Sequence, residues 1–421
     1  MRNETICVRG TYKPKDGEPA ILPINQSTTY VYEDGDYLAD LFSLKEVGHI
    51  YSRITNPTVA ELEGKVNMLE GGVGALSAAT GHAAMINAVL NLCQQGDHIV
   101  SSNSIYGGVF NILSHTLPKF GITTTFVDQE ASEDEIKKAF KENTKLLFAE
   151  TVSNPTVRVL DMKKFSKIAK DMDVPFVVDN TLLTAYLYKP FEHGADISVY
   201  SGSKYYDGHG SSLAGFVVDS GKYNYDNGKF PALVEPDLSY HGLSYVKDLG
   251  EAAYITKARV QFTRDFGNLL NPFNAFLIHM NMETLHLRME RHSENALKLA
   301  KFLETHPKVE KVNYCLLESS VDYNRAKELG ITGAGGILSF NIKGENVAKK
   351  FTSSLELATL FTHLGDLRTS IIHPASTTHS QLSKEDLIKG GVDESLLRVS
   401  VGLENIDDII DDFKKALDKV K

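Results

Sequence analysis

Five short apolar runs recur between residues 98 and 218, with helical stretches or turns between them. They are 98–100 (HIV), 145–149 (KLLFA), 175–178 (PFVV, ending at Asp179), 196–200 (DISVY, ending at Ser201) and 215–218 (GFVV, ending at Asp219). Helical candidates lie near 80–95, 107–118, 133–141 and 161–171. Strand, helix and strand at this spacing predict an α/β fold with a mostly parallel sheet covered on both faces. Open sheets of this kind bind ligands beyond the carboxyl ends of their strands. Polar residues cluster at those ends here, so chemistry is to be sought there.

The flanks divide the chain. Residues 1–60, with Pro14, Pro19 and Pro23 among Gly, Asp and Thr, show no helical period. They read as an extended arm, too thin to hold a core and expected to lie against another surface, such as a second subunit. From Pro57 helical spacing begins: Val59, Leu62, Val66 and Leu69 recur, and Gly71-Gly72 is a stop signal. Residues 61–265 then form a large domain and 266–421 a smaller C-terminal α/β domain. The latter should hold a long helix including 280–303 and a strand at 336–340. It should close on a helix over 407–420 with one apolar stripe (Ile409, Ile410, Phe413, Leu417, Val420).

Composition removes several function classes. With 44 Lys+Arg against 54 Asp+Glu, the net charge of −10 gives no basic face for nucleic acid. Cys7, Cys93 and Cys315 lack zinc-ligand or CxxC spacing and read as reduced thiols of a cytoplasmic protein. The N-terminus does not resemble a signal peptide. The apolar stretch 72–92 is too polar to span a membrane, interrupted as it is by Ser77, Thr80, His82 and Asn87. Gly72-Val73-Gly74 lacks the third Gly of a dinucleotide loop, and no Gly-Lys pair is followed by Ser or Thr. His363, His373 and His379 have no metal-ligand spacing and read as scattered loop histidines.

Four features on successive strand ends form a pattern. Lys204, in Ser201-Gly202-Ser203-Lys204, follows one strand, and Asp179 ends the preceding one. Two readings fit that pair: a structural ion pair, or a reactive lysine beside an anion that keeps a pyridinium nitrogen protonated. Thr80-Gly81-His82 opens a helix, either as an ordinary cap or as a phosphate cup. Tyr106, before Gly107-Gly108, is either a loop tyrosine or a ring that stacks on a flat ligand.

Longer motifs decide between these readings. The segments 51–58 (YSRITNPT), 179–181 (DNT), 201–205 (SGSKY) followed by 208–210 (GHG), and 397–404 (LRVSVGLE) resemble the Cys/Met-metabolism family of pyridoxal-phosphate (PLP) enzymes, fold type I. The resemblance covers nearly the whole chain. Segments 106–118, 235–242 and 372–382 are most similar to the branch that acts on O-acetylhomoserine. Methionine γ-lyases of the family usually carry Cys where Gly108 stands. Leu182-Leu183 departs from the branch's usual Phe-Ala and should reshape a pocket wall.

The resemblance implies PLP as cofactor, held covalently by Lys204, with Asp179 at the ring nitrogen and Tyr106 stacked on the ring. Gly81, His82, Ser201 and Ser203 would cup the phosphate, and Asn154 would reach the ring hydroxyl. Tyr51 and Arg53 would reach the phosphate of a neighbouring subunit, Tyr51 contributing to the substrate site as well; this implies a dimer at minimum and a tetramer by family habit. Arg398 would take the substrate α-carboxylate, its planar fork matching the carboxylate bidentately, and Arg368 is a second candidate there. The implied activity is γ-replacement of an acylated homoserine by sulfide or a thiol. γ-Elimination, cystathionine γ-synthase or lyase chemistry, and a non-catalytic cofactor carrier are the alternatives.

Overall fold

A computed structural model describes residues 1–343, 347–378, 392 and 394–420. Its larger sheet has seven strands: β1 (Gly74–Ala78), β2 (His98–Ser102), β3 (Thr123–Val127), β4 (Thr144–Glu150), β5 (Phe176–Asp179), β6 (Ile197–Tyr200) and β7 (Gly215–Asp219). Their spatial order is β1-β7-β6-β5-β4-β2-β3. Strands β3, β2, β4, β5 and β6 are mutually parallel, while β7 runs against both its neighbours, β6 and β1.

The connections explain the one reversal. Helical segments separate each strand from the next as far as β6, which returns the chain to the same end of the sheet. Residues 201–214, between β6 and β7, hold no helix, so the chain turns straight back. Every strand except β7 therefore delivers its carboxyl end to one edge. The central strands are covered on both faces, as their near-continuous apolar sequence requires: Leu147, Val177, Val178 and Ile197 are all buried.

The smaller sheet contains β8 (Val309–Asn313), β9 (Ile337–Ile342), β10 (Thr359–Leu360), β11 (Ser370–Ile372) and β12 (Leu396–Ser400), in the order β10-β11-β12-β9-β8. It is antiparallel except between β10 and β11. The closing helix Ile406–Lys419 buries Ile409, Phe413 and Leu417 against this part of the core.

Three local expectations change. The first sixty residues are not wholly extended: helices form at Asn3–Arg9 and Gly35–Phe42. The first docks Ile6 and Cys7 into the main core; the second starts where the Asp34 carboxylate accepts the N–H groups of Asp36 and Tyr37. The segment 107–118 is not one α-helix. It begins as one at Gly107–Asn111, widens to π bonding at Ile112–Thr116 and tightens to 3-10 at Leu117–Phe120, where Pro118 has no N–H to continue the ladder. The helical run through 280–303 is present but divided: a helix Pro272–Asn281, a 3-10 turn Met282–Thr284 and the long helix Leu285–Thr305. Among the described residues no helix is long and apolar enough to cross a membrane.

That long helix, Leu285–Thr305, supports the return between β6 and β7. Buried Arg288 donates from Nη1 to the Tyr205 carbonyl at 2.7 Å, and from Nη2 to the carbonyls of Asn281 at 2.9 Å and Tyr206 at 3.4 Å. Gly208, at φ +70°, lies over the guanidinium, where a Cβ would come within 2.1 Å of Nη1. Arg288→Met removes the donors and strands buried carbonyls, at a cost of about 2–5 kcal/mol. We expect a lower urea midpoint; a midpoint equal to that of the wild type would show that the return holds itself.

Candidate active site

A cavity of about 650 Å³ opens at the edge to which the parallel strands deliver their carboxyl ends. Gly81, His82, Tyr106, Asn154, Asp179, Ser201, Ser203, Lys204 and Arg398 all line it. Tyr51, Arg53 and Arg368 do not.

One wall suits an anion. Thr80 caps the ten-residue helix Gly81–Leu90, its hydroxyl accepting the Ala83 N–H at 3.1 Å. This leaves the first N–H groups of the helix facing the cavity with the positive end of the dipole. Glycine is required at 81: a Cβ there would lie 2.8 Å from the Ser201 Cβ. The Ser201 N–H donates to the Thr181 hydroxyl at 2.8 Å, and the Ser203 hydroxyl accepts the Ala214 N–H at 2.9 Å.

The floor is anionic. Glu150 and Asp179 stand opposite one another in the β4–β5 register. Burial raises the pKa of both carboxyls above the usual range; for Glu150 the neighbouring Asp179 charge adds to the rise. Glu150 Oε1 accepts the Tyr106 N–H at 2.6 Å, and Asp179 Oδ1 accepts the Thr181 N–H at 2.9 Å. Among the described residues no basic side chain pairs with either. A protonated ring nitrogen would supply the missing cation, so the residues fit PLP.

Lys204 is likewise without a carboxylate partner among the described residues, which removes the structural ion pair with Asp179 as a reading. Its Nζ lies 3.3 Å from Nδ1 of His363. Burial, then the charge of Arg398, pulls its pKa down to about 8. Arg398, on β12, is buried; Nη1 donates to Asn154 Oδ1 at 3.3 Å and Nη2 to the carbonyls of His363 at 3.1 Å and Thr362 at 3.3 Å. Its Nε has no partner among the described residues.

A nucleophilic amine, a cradle for an anion, a flat aromatic wall and an unneutralised acidic floor describe an enzyme built around a covalently held, phosphorylated pyridine. Sequence comparison agrees. Residues 4–418 match the model of the Cys/Met metabolism PLP-dependent enzymes, and the chain belongs to that family. It is 46% identical to an O-acetyl-L-homoserine sulfhydrylase of Leptospira meyeri, over 100% of this chain and 97% of that one. It is 43% identical to a homocysteine synthase of Schizosaccharomyces pombe, over 94% and 93% respectively. The crystal structure of a putative O-acetylhomoserine (thiol)-lyase from Campylobacter jejuni, which carries N'-pyridoxyl-lysine-5'-monophosphate, superposes with a TM-score of 0.96 at 39% identity, covering 100% of both chains.

The residues outside the cavity are engaged elsewhere. Arg368 is gripped by Asp366, Nε to Oδ1 at 2.7 Å and Nη2 to Oδ2 at 2.8 Å, and its side chain is 67% exposed. Tyr51 is partly exposed, with Arg53 5.3 Å over its ring. Of the leucine pair only Leu182 lines the wall; Leu183 is fully buried behind it. His363 lies in a loop, as expected, but that loop brings it into the cavity wall. His373 bonds Ser376 Oγ and the Glu394 carbonyl, both at 2.8 Å; His379 lies outside the described residues. Sequence reasoning also missed Thr181 and Glu150 as lining residues. Glu150 closes the 145–149 run as Asp179 closes 175–178, and that shared pattern was the available signal.

Gly108 fixes how close two rings come. A Cβ there would lie 2.5 Å from Tyr106 Cε1 and 2.6 Å from His82 Nε2. Gly108→Ala must therefore displace Tyr106, His82 or both, an overpacking cost of about 1–3 kcal/mol. We expect PLP affinity to fall about tenfold by fluorescence titration, with the far-ultraviolet circular dichroism unchanged. Unaltered affinity would mean that the Tyr106 ring does not contact the cofactor.

Proposed function

We propose that the chain catalyses PLP-dependent γ-replacement: O-acetyl-L-homoserine and hydrosulfide give L-homocysteine and acetate, with methanethiol giving methionine instead. The full-length likeness to proteins named for that substrate carries this reading. The absence of a side chain at Gly108, where family γ-lyases usually carry Cys, favours replacement over elimination.

Arg398 binds the substrate α-carboxylate, steadied by Asn154 at Nη1. Bound PLP supplies an electron sink that acidifies the Cα and then the Cβ hydrogens. Lys204, displaced by the substrate amine, takes the Cα proton; its lowered pKa of about 8 keeps a usable fraction neutral near pH 7. The same amine serves the later proton transfers, as a Cβ proton leaves, acetate departs from Cγ and hydrosulfide joins there. Asp179 would meet the protonated ring nitrogen of the bound group, and Glu150 fixes Tyr106 through its backbone N–H.

We assign residues 1–60 as an arm, 61–265 as the cofactor domain and 266–421 as the C-terminal domain. The arm's Tyr51 and Arg53 serve a second subunit's site, in a dimer that pairs into a tetramer. Supporting this, Val31 and Val47 are 97% and 96% exposed, an unusual state for aliphatic side chains unless another chain covers them. Three free, buried cysteines suit the reducing cytoplasm.

The PLP-loaded protein, given O-acetylhomoserine and sulfide, should form homocysteine as its main product. Mainly 2-oxobutanoate, even with sulfide present, would move the assignment to a γ-lyase. The arm has its own test. Arg53→Ala and Lys204→Ala chains, each nearly inactive alone, are co-expressed in equal amounts. Half the dimers are hybrids with one intact site, so about a quarter of wild-type activity should return. No recovery would place Arg53 at its own subunit's site or at none.

A further inference from the structure

His363 has no part in the chemistry set out so far, yet among the described residues its ring is the side chain that stands within hydrogen-bond distance of the Lys204 amine. Its Nδ1 stands 3.3 Å from Nζ. Its carbonyl accepts from Arg398 Nη2 at 3.1 Å, so the arginine that would bind substrate also fixes the backbone that carries His363. An ammonium only donates, so with Lys204 charged Nδ1 must accept, and the ring proton sits on Nε2. That Nε2 is buried and has no partner among the described residues. Among them the imidazole is therefore oriented by the lysine at one end alone.

The electrostatic surroundings keep the ring neutral. Burial first, then the Lys204 charge, lowers its pKa to about 4; Asp366 and Asp207 oppose the shift, and Arg398 adds to it. The other charged or titratable groups that act on the amine or line its cavity are Arg398, Asp179, Glu150, Tyr106 and His82, whose own pKa is lowered by burial and by Lys204. Among the described residues none of these lies within hydrogen-bond distance of Nζ, as the His363 ring nitrogen does.

We propose that His363 is the positioning residue for Lys204 in its proton-carrying state: Nδ1 accepts a hydrogen bond from the ammonium and parks it between successive proton transfers. No proton passes to the imidazole; each proton that Lys204 takes from one substrate carbon stays on Nζ until Lys204 gives it up. The role matters most in a reaction where one amine must carry protons from both Cα and Cβ. It rests on the reading of Lys204 as the PLP-binding lysine.

The test uses the full-length, cofactor-free protein and PLP itself as probe. Covalent attachment at Lys204 is followed against pH by absorbance and located by borohydride reduction and peptide mass spectrometry. Attachment needs the neutral amine. His363→Leu removes the acceptor that favours the charged form, so the midpoint of the profile should move down by about one pH unit. His363→Gln, which keeps an acceptor, should stay near the wild-type midpoint. A His363→Leu profile that coincides with the wild type, or a Gln profile that matches Leu, overturns the proposal. Should the variants misfold, the wild-type chain still decides: the His363 Nδ1 resonance should shift as Lys204 titrates and stay fixed in Lys204→Met. Failure of wild-type Lys204 to attach PLP at all would instead overturn the underlying reading.

Discussion

Two carboxylates that cannot both be charged in comfort organise this molecule. The register of β4 and β5 sets Glu150 beside Asp179, one strand spacing apart and sealed from water on the protein side. At a spacing of about 5 Å and an effective dielectric near 20, two such charges repel by about 3–4 kcal/mol. Desolvation adds to that. The fold tolerates the pair because backbone N–H groups of Tyr106 and Thr181 each donate to one of their oxygens, and a protonated ring nitrogen would offset the rest. The acidic floor is thus a site shaped for a ligand before any ligand arrives, and the loops that carry Tyr106 and Asn154 are tied to it.

The two sheets divide the work between cofactor and substrate. The larger sheet presents the anion cradle, the acidic floor and Lys204 through loops at one edge. The smaller sheet contributes a single strand residue, Arg398, together with the turn that holds Thr362 and His363. Arg398 bridges the two by bonding Asn154 on one side and the 362–363 carbonyls on the other. An arginine buried this deeply, its pKa pushed down to about 10 by desolvation, remains charged at neutral pH, and its Nε–H has no partner among the described residues.

Much of this was legible in the sequence, and the limits are instructive. The runs ending at Asp179 and Ser201 were read correctly because β5 and β6 are central strands, apolar on both faces, and the residues after them stand out by contrast. β1 (GALSA) and β3 (TTTFV) were not anticipated. The first is short and small and merges into the helix after it; the second is partly exposed and threonine-rich, so no apolar run marks it. Arg368 and His363, two residues after Asp366 and three before it, show what spacing along the chain cannot tell. Asp366 turns the arginine outward, whereas the histidine turns inward toward a lysine far away in sequence. Side-chain direction within a loop is set by tertiary partners that no local pattern encodes.

The single reversed strand has a consequence for how the protein comes to be active. β7 returns from Lys204 to pair on one side with β6, its neighbour in sequence, and on the other with β1, nearly the length of the sheet's sequence away. Contacts between such distant segments carry the largest loop-closure cost and tend to form late. The turn bearing Lys204 is fastened at its far end by that doubly paired strand. Capture of the cofactor is then a report that the chain has closed its sheet, and a nascent or half-folded chain has no competent lysine to offer.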